Sequence, residues 1–101
     1  MSADWTTEEA IRLCQIIEAE APNFGGHVAL TGGCLYKDGP RKDADILIYR
    51  IRQAKVVDWD GLFERLTSVG VHLLEDFGWC KKALYLGRPI DIFDPDDDGA
   101  Y

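Results

Sequence analysis

The sequence lacks a surplus of basic residues, an apolar run of membrane length, and a paired set of cysteines. Eleven Lys and Arg stand against eighteen Asp and Glu, a formal net charge of −7. That balance argues against direct nucleic-acid binding by this chain without a partner, because phosphate affinity comes from clustered Lys and Arg. No apolar run approaches the roughly 20 residues of a membrane helix, so no membrane association is expected. Cys14, Cys34 and Cys80 are scattered and odd in number, which suits reduced thiols and neither a disulfide frame nor a zinc site. The opening MSADWTTEEA is acidic and without the basic and apolar blocks of a signal peptide. The expected location is the cytoplasm.

What is present is an ordinary globular composition, 47% hydrophobic over 101 residues, expected to form one domain over 1–101 with a flexible acidic tail at 94–101. Residues 6–20 read as a helix. Thr6 and Glu9 have capping-box spacing, Trp5 precedes them as a staple, and Ala10, Leu13, Cys14, Ile17 and Ala21 fall on one face before Pro22. HVALTGG (27–33) reads as a short buried strand stopped by glycine, and CLYKDGPRK as a loop. DADILIYRI (43–51) reads as a strand. DWDGLFERLTSVG (58–70) reads as a second helix with Asp58 as N-cap and Gly70 as stop. VHLLED is a third strand. KKALYLGRPIDIFDP is a hairpin whose two-residue turn is Gly87-Arg88, glycine first. This order predicts an α+β fold, with helices packed on one face of a mixed sheet of about five strands.

Two acids open the second strand. Asp43 and Asp45 are one residue apart, so they project to the same face and repel. Carboxylates so placed suit a hard divalent cation, Mg²⁺ or Mn²⁺. Asp91 lies between Ile90 and Ile92. If those isoleucines face a core, Asp91 faces the open side, where it would join the other two. Taken singly, each acid is more often a solvated strand edge. The pair Gly32-Gly33, nine residues before Asp43, adds a place where backbone approaches a ligand closely and offers N–H groups to phosphate oxygens.

The full arrangement runs from apolar strand to Gly-Gly, a loop of about ten residues, Asp-x-Asp opening a strand, and a third Asp in a later strand. It resembles the DNA polymerase β-like nucleotidyltransferase superfamily. GGCLYKDGPRKDAD is most similar to the head of the CCA-adding and poly(A) polymerases, in a chain the size of the minimal nucleotidyltransferases. The resemblance implies that Gly32, Gly33 and the adjoining Cys34, which stands where the family often has serine, hold a nucleoside triphosphate. It implies that Asp43 and Asp45 ligate Mg²⁺ or Mn²⁺, and that Asp91 is the third carboxylate, a metal ligand or general base for the acceptor hydroxyl. The implied activity is metal-dependent transfer of a nucleotidyl group to a hydroxyl acceptor. The alternative is an interaction protein that keeps the fold with little or no catalysis, an accessory or antitoxin-like subunit. With no helical second domain to cover the sheet, a homo-oligomer or a partner chain is expected, with the nucleotide as the small-molecule partner.

The remaining candidates are weaker. Lys81, Lys82 and Arg88 could hold phosphates but are more often solvated hairpin charges. The same holds for Arg41 and Lys42 before Asp43. His27 and His72 have no partner at zinc spacing, so structural roles are expected. Cys34 has no histidine arranged with it for a nucleophile. Trp5, Trp59 and Trp79 read as core or rim, with base stacking on Trp79 or Tyr36 a lesser alternative.

Overall fold

The structure, a computed structural model, describes residues 4–32 and 41–97. Helix α1 spans Thr7–Glu18, and a 3-10 turn follows at Ala21–Phe24. Strands β1 (Gly26–Thr31) and β2 (Ala44–Arg50) come next, then helix α2 (Trp59–Thr67) and strands β3 (Val71–Asp76), β4 (Cys80–Tyr85) and β5 (Arg88–Phe93). The capping box forms: the Thr6 hydroxyl accepts from Glu9 N–H at 3.2 Å, and the Glu9 carboxylate accepts from Thr6 N–H at 3.1 Å. Pro22 does not itself end α1. The helix stops at Glu18, and Pro22 sits in the first turn of the 3-10 segment, where its missing N–H is not needed. Asp58 caps α2 by accepting from Gly61 N–H at 3.1 Å.

The sheet order is β1-β2-β5-β4-β3, with β2 and β5 parallel and the other neighbours antiparallel. Alternation along the central strands divides their side chains cleanly. Ala44, Ile46 and Ile48 of β2 and Ile90 and Ile92 of β5 are buried in one cluster with Ala10, Leu13 and Ile17 of α1 and Leu62, Phe63 and Leu66 of α2. Both helices therefore cover one face, as expected for this α+β class. Asp45, Leu47 and Tyr49 of β2, with Asp91 and Phe93 of β5, point to the opposite, open face.

The hairpin turn differs from the sequence reading. The loop residues are Leu86 and Gly87, with φ of 50° and 82°, the two positive values of a type I′ turn. Arg88 already belongs to β5. The right-handed twist of the hairpin selects this turn even though Leu86 must adopt a left-handed conformation that Gly would enter more easily. At the other end, Asp94 N–H donates to the Trp79 carbonyl at 2.9 Å, and Asp96 accepts from Arg50 N–H at 3.3 Å. These bonds tie the start of the acidic tail back to the sheet. Residues 98–101 lie outside the described residues.

Candidate functional site

The open face carries its acids where β2 begins to pair with β5. In the β2–β5 register Asp45 stands directly beside Asp91, as Ile46 stands beside Ile92 on the helix side. Asp43 lies two residues before Asp45 and, with Asp4, Arg41, Lys42 and Asp45, lines a cleft of about 440 Å³. Gly32, just past the end of β1, closes over this point. Its φ is +71°, and a Cβ there would lie 2.2 Å from Asp45 Oδ2 and 2.7 Å from Asp45 Cβ. A side chain at 32 is thus excluded twice, by backbone conformation and by the Asp45 carboxylate. Gly33 and Cys34, assigned with Gly32 to triphosphate binding, lie outside the described residues, as does Tyr36.

The residues that lead into β2 are held by the N-terminal segment. Trp5 and Arg41 form a reciprocal backbone bridge, Arg41 N–H reaching the Trp5 carbonyl at 2.7 Å. Trp5 is not only a staple for α1. It is buried, its indole N–H donates to the Pro89 carbonyl at 2.7 Å, and the Arg88 guanidinium lies 3.9 Å over its ring. Arg88 also binds Glu9 at 2.9 Å and 3.1 Å and the Asp4 carbonyl. With Arg88 beside it and the Thr6 N–H and hydroxyl also donating to it, the Glu9 carboxyl falls to a pKa of about 2. Arg88 is therefore a structural clamp between β5 and α1. The sequence offered no signal for this beyond the odd placement of Trp5 before a capping box.

The two lysines of β4 divide between the faces. Lys81 is buried on the helix side, 3% exposed, with its ammonium 3.0 Å from Asp76, 2.9 Å from the Gly78 carbonyl and 4.6 Å from the centre of the Trp59 ring. The expectation of a solvated or phosphate-binding Lys81 is corrected: β4 alternation turns it under α2. Burial favours the neutral Asp76 acid, but the Gly78 N–H and Lys81 outweigh it and hold the Asp76 carboxyl below its usual range. Lys82 points to the open face and sits opposite Asp91 in the β4–β5 register, with its ammonium 2.9 Å from Asp91 Oδ1. Lys82 is 46% exposed and Asp91 only 14%. The hydrogen bond to Asp91, with the charges of Asp91 and Asp43, raises the Lys82 pKa. Cys80, on the same face, is raised by burial and by the nearby charges of Asp91 and Asp45, which leaves its thiol protonated at neutral pH and a poor nucleophile.

The donor chemistry suits a hard divalent cation: carboxylate oxygens from neighbouring register positions, with the Asp45 carboxylate packed against a glycine. Among the described residues, however, no three His, Cys, Asp or Glu side chains stand in ready coordinating geometry, and one Asp91 oxygen is engaged by Lys82. His27 has the expected structural role. Its Nδ1 lies 2.7 Å from Glu18, whose other oxygen accepts from Val28 N–H at 2.8 Å, which fastens the end of α1 to β1. Trp79 stacks on Phe93 with ring centres 6.0 Å apart and stays about half exposed.

No family model matches the chain, and no curated protein matches it. Among solved structures, the chain is similar to Cid1, a protein described for its RNA terminal uridylyl transferase activity. The TM-score is 0.64 at 12% identity, over 89% of this chain and 31% of Cid1. The chain thus spans about a third of that protein's length. At this identity the likeness shows the fold alone, and the fold is nucleotidyltransferase-like: an α+β domain with a five-stranded mixed sheet and its helices on one face.

Proposed function

We propose that the chain is a metal-dependent nucleotidyltransferase, moving a nucleotidyl group from a nucleoside triphosphate to a hydroxyl acceptor. The observation that carries this reading is the register pairing of Asp45 with Asp91 near the start of the β2–β5 ladder, beside the side-chain-free turn at Gly32. In the proposed reaction the acceptor oxygen forms a bond to the α-phosphorus as the bond from that phosphorus to the bridging oxygen breaks, and diphosphate leaves. Asp91 takes the acceptor proton at a carboxylate oxygen. Asp43 and Asp45 are the residues that would hold Mg²⁺ or Mn²⁺, which when bound supply charge stabilisation to the attacking and leaving oxygens. Arg41 and Lys42, at the rim of the same cleft, are suited to the triphosphate.

The test is transfer from a labelled triphosphate with Mg²⁺ or Mn²⁺, compared between the parent and Asp45→Asn. An amide lacks the charge and the two equivalent oxygens of a carboxylate. Activity in the parent that disappears in a folded Asp45→Asn supports the reading. Full activity in the variant overturns it.

A second reading, a fold-retaining interaction protein, is favoured by a different observation. An open apolar groove of about 500 Å³ runs between α1 and the β1 edge, lined by Ile11, Cys14, Val28 and Leu30, and Leu73, Leu74 and Phe77 are exposed along β3 and just beyond it. Apolar surface of this kind marks interfaces. Light scattering that gives a dimer or larger, together with a parent inactive on every triphosphate, would favour it over catalysis.

A further inference from the structure

We infer that Lys82 is the resident counter-cation of the carboxylate site: its ammonium holds Asp91 in the metal-free chain and must give up that bond when a divalent cation enters. This rests on the proposed metal-dependent function and deepens it.

The argument starts from position. Lys82 lies opposite Asp91 across β4–β5, and Asp91 lies beside Asp45 across β5–β2. All three point to the open face, where the Lys82 ammonium is 2.9 Å from Asp91 Oδ1 and close enough to Asp43 for that charge to act on it. A positive charge therefore sits beside acids that would otherwise repel one another. The Asp91 carboxylate is mostly buried while Lys82 is nearly half exposed, so the lysine is the partner with room to swing away. A divalent cation drawing on the same Asp91 oxygen would meet the ammonium at close range, and like charges so near oppose each other even under water-like screening. Lys82 is a positioning residue in this view, setting how much cation is needed before the site assembles.

The experiment is calorimetric titration of Mn²⁺ alone into the full chain, with no nucleotide, for the parent, Lys82→Met, Lys82→Gln and Lys82→Arg. Removing the charge should tighten Mn²⁺ binding on the order of tenfold, and Lys82→Arg should bind as the parent does. Without metal, Lys82→Met should melt below the parent, and the gap should close as Mn²⁺ is added. A merely structural lysine would not produce tighter metal binding on removal. Should Lys82→Met not fold, Lys82→Gln carries the same comparison, since its amide can still donate to Asp91 without charge. Binding that is equal or weaker in the uncharged variants overturns this inference while leaving the metal reading intact. Absence of Mn²⁺ binding in every chain overturns the metal reading and this inference with it.

Discussion

Lys81 and Lys82 are neighbours on one strand, each bonded to an aspartate at about the same distance, 3.0 Å and 2.9 Å. Their surroundings make them different things. Lys81 lies under Trp59, buried, and its aspartate is the solvent-facing member of the pair; the ammonium is fixed by a ring, a carbonyl and a carboxylate. Lys82 is the solvent-facing member of its pair, and its aspartate is the more enclosed one, next to a second aspartate. An ion pair whose lysine is enclosed serves packing. In the proposed site, an ion pair whose carboxylate is the more enclosed member and lies beside another acid would exchange its cation. The same contrast divides the whole sheet. Ile46, Ile48, Ile90 and Ile92 fill the helix-covered face, and Asp45 and Asp91 occupy the alternate positions on the open one.

The largest effect should come from the covered face. Ile92→Ala should cost about 2–5 kcal/mol of stability, read as a lower urea midpoint with little change in slope, and any loss of transfer should track the unfolded fraction. On the open face, Asp91→Asn should leave the midpoint close to the parent's, because Lys82 is well solvated without its partner. Transfer should fall by about 10²–10³, or roughly 2.7–4 kcal/mol of barrier, the scale of one lost transition-state contact. If Asp91→Asn unfolds as readily as Ile92→Ala, the division between the faces is wrong. The lysines give a smaller and sharper version. Lys81→Ala should cost about 1–3 kcal/mol through its charged hydrogen bonds and its place under Trp59, against a smaller loss for Lys82→Ala, whose ammonium is nearly half exposed. Equal losses in thermal melts would erase the distinction.

The smallest effect lies away from both lysines, at Glu9, and provides a purely structural ion pair for contrast. Its pKa of about 2 in the folded chain is below its ordinary value of 4.5. A group depressed in this way adds stability above its unfolded pKa and loses it as the pH falls from about 4.5 toward 2. Melting of parent and Glu9→Gln should therefore differ most at neutral pH and low salt and converge near pH 2. A difference that stays constant across that range would mean the Arg88 pair does not stabilise the fold.

Much of this was legible in the sequence because it follows from period alone. The alternation Asp91 between Ile90 and Ile92 fixed which face each takes, and the capping box at Thr6 and Glu9 needed only their spacing. Asp45 and Asp91 side by side require more, since parallel register between residues 46 positions apart is set by the sheet order and not by local pattern. Lys82 illustrates the same limit. It reads as one of several hairpin charges until the β4–β5 register sets it against Asp91 and turns Lys81 the other way. Local pattern alone puts the hairpin turn one residue late, at Gly87-Arg88, because Gly87 suits either position of a tight turn, and only the strand twist selects Leu86-Gly87. Trp5 could not be assigned from sequence, since its partners Arg41, Arg88 and Pro89 are all remote.

The central claim is that Asp45 belongs to a cation and triphosphate site and not to the framework of the fold. The most direct test is thermal melting of the parent and Asp45→Asn, each alone and with Mn²⁺ plus each nucleoside triphosphate in turn. A ligand at 100 times its dissociation constant adds about 2.7 kcal/mol, which for a domain of this size is roughly 10 °C or more. The account predicts that shift in the parent with at least one triphosphate, no shift in Asp45→Asn, and metal-free melting of the variant at or slightly above the parent, because one like-charge repulsion is relieved. An equal shift in both chains, or a variant that melts far below the parent without metal, would contradict it.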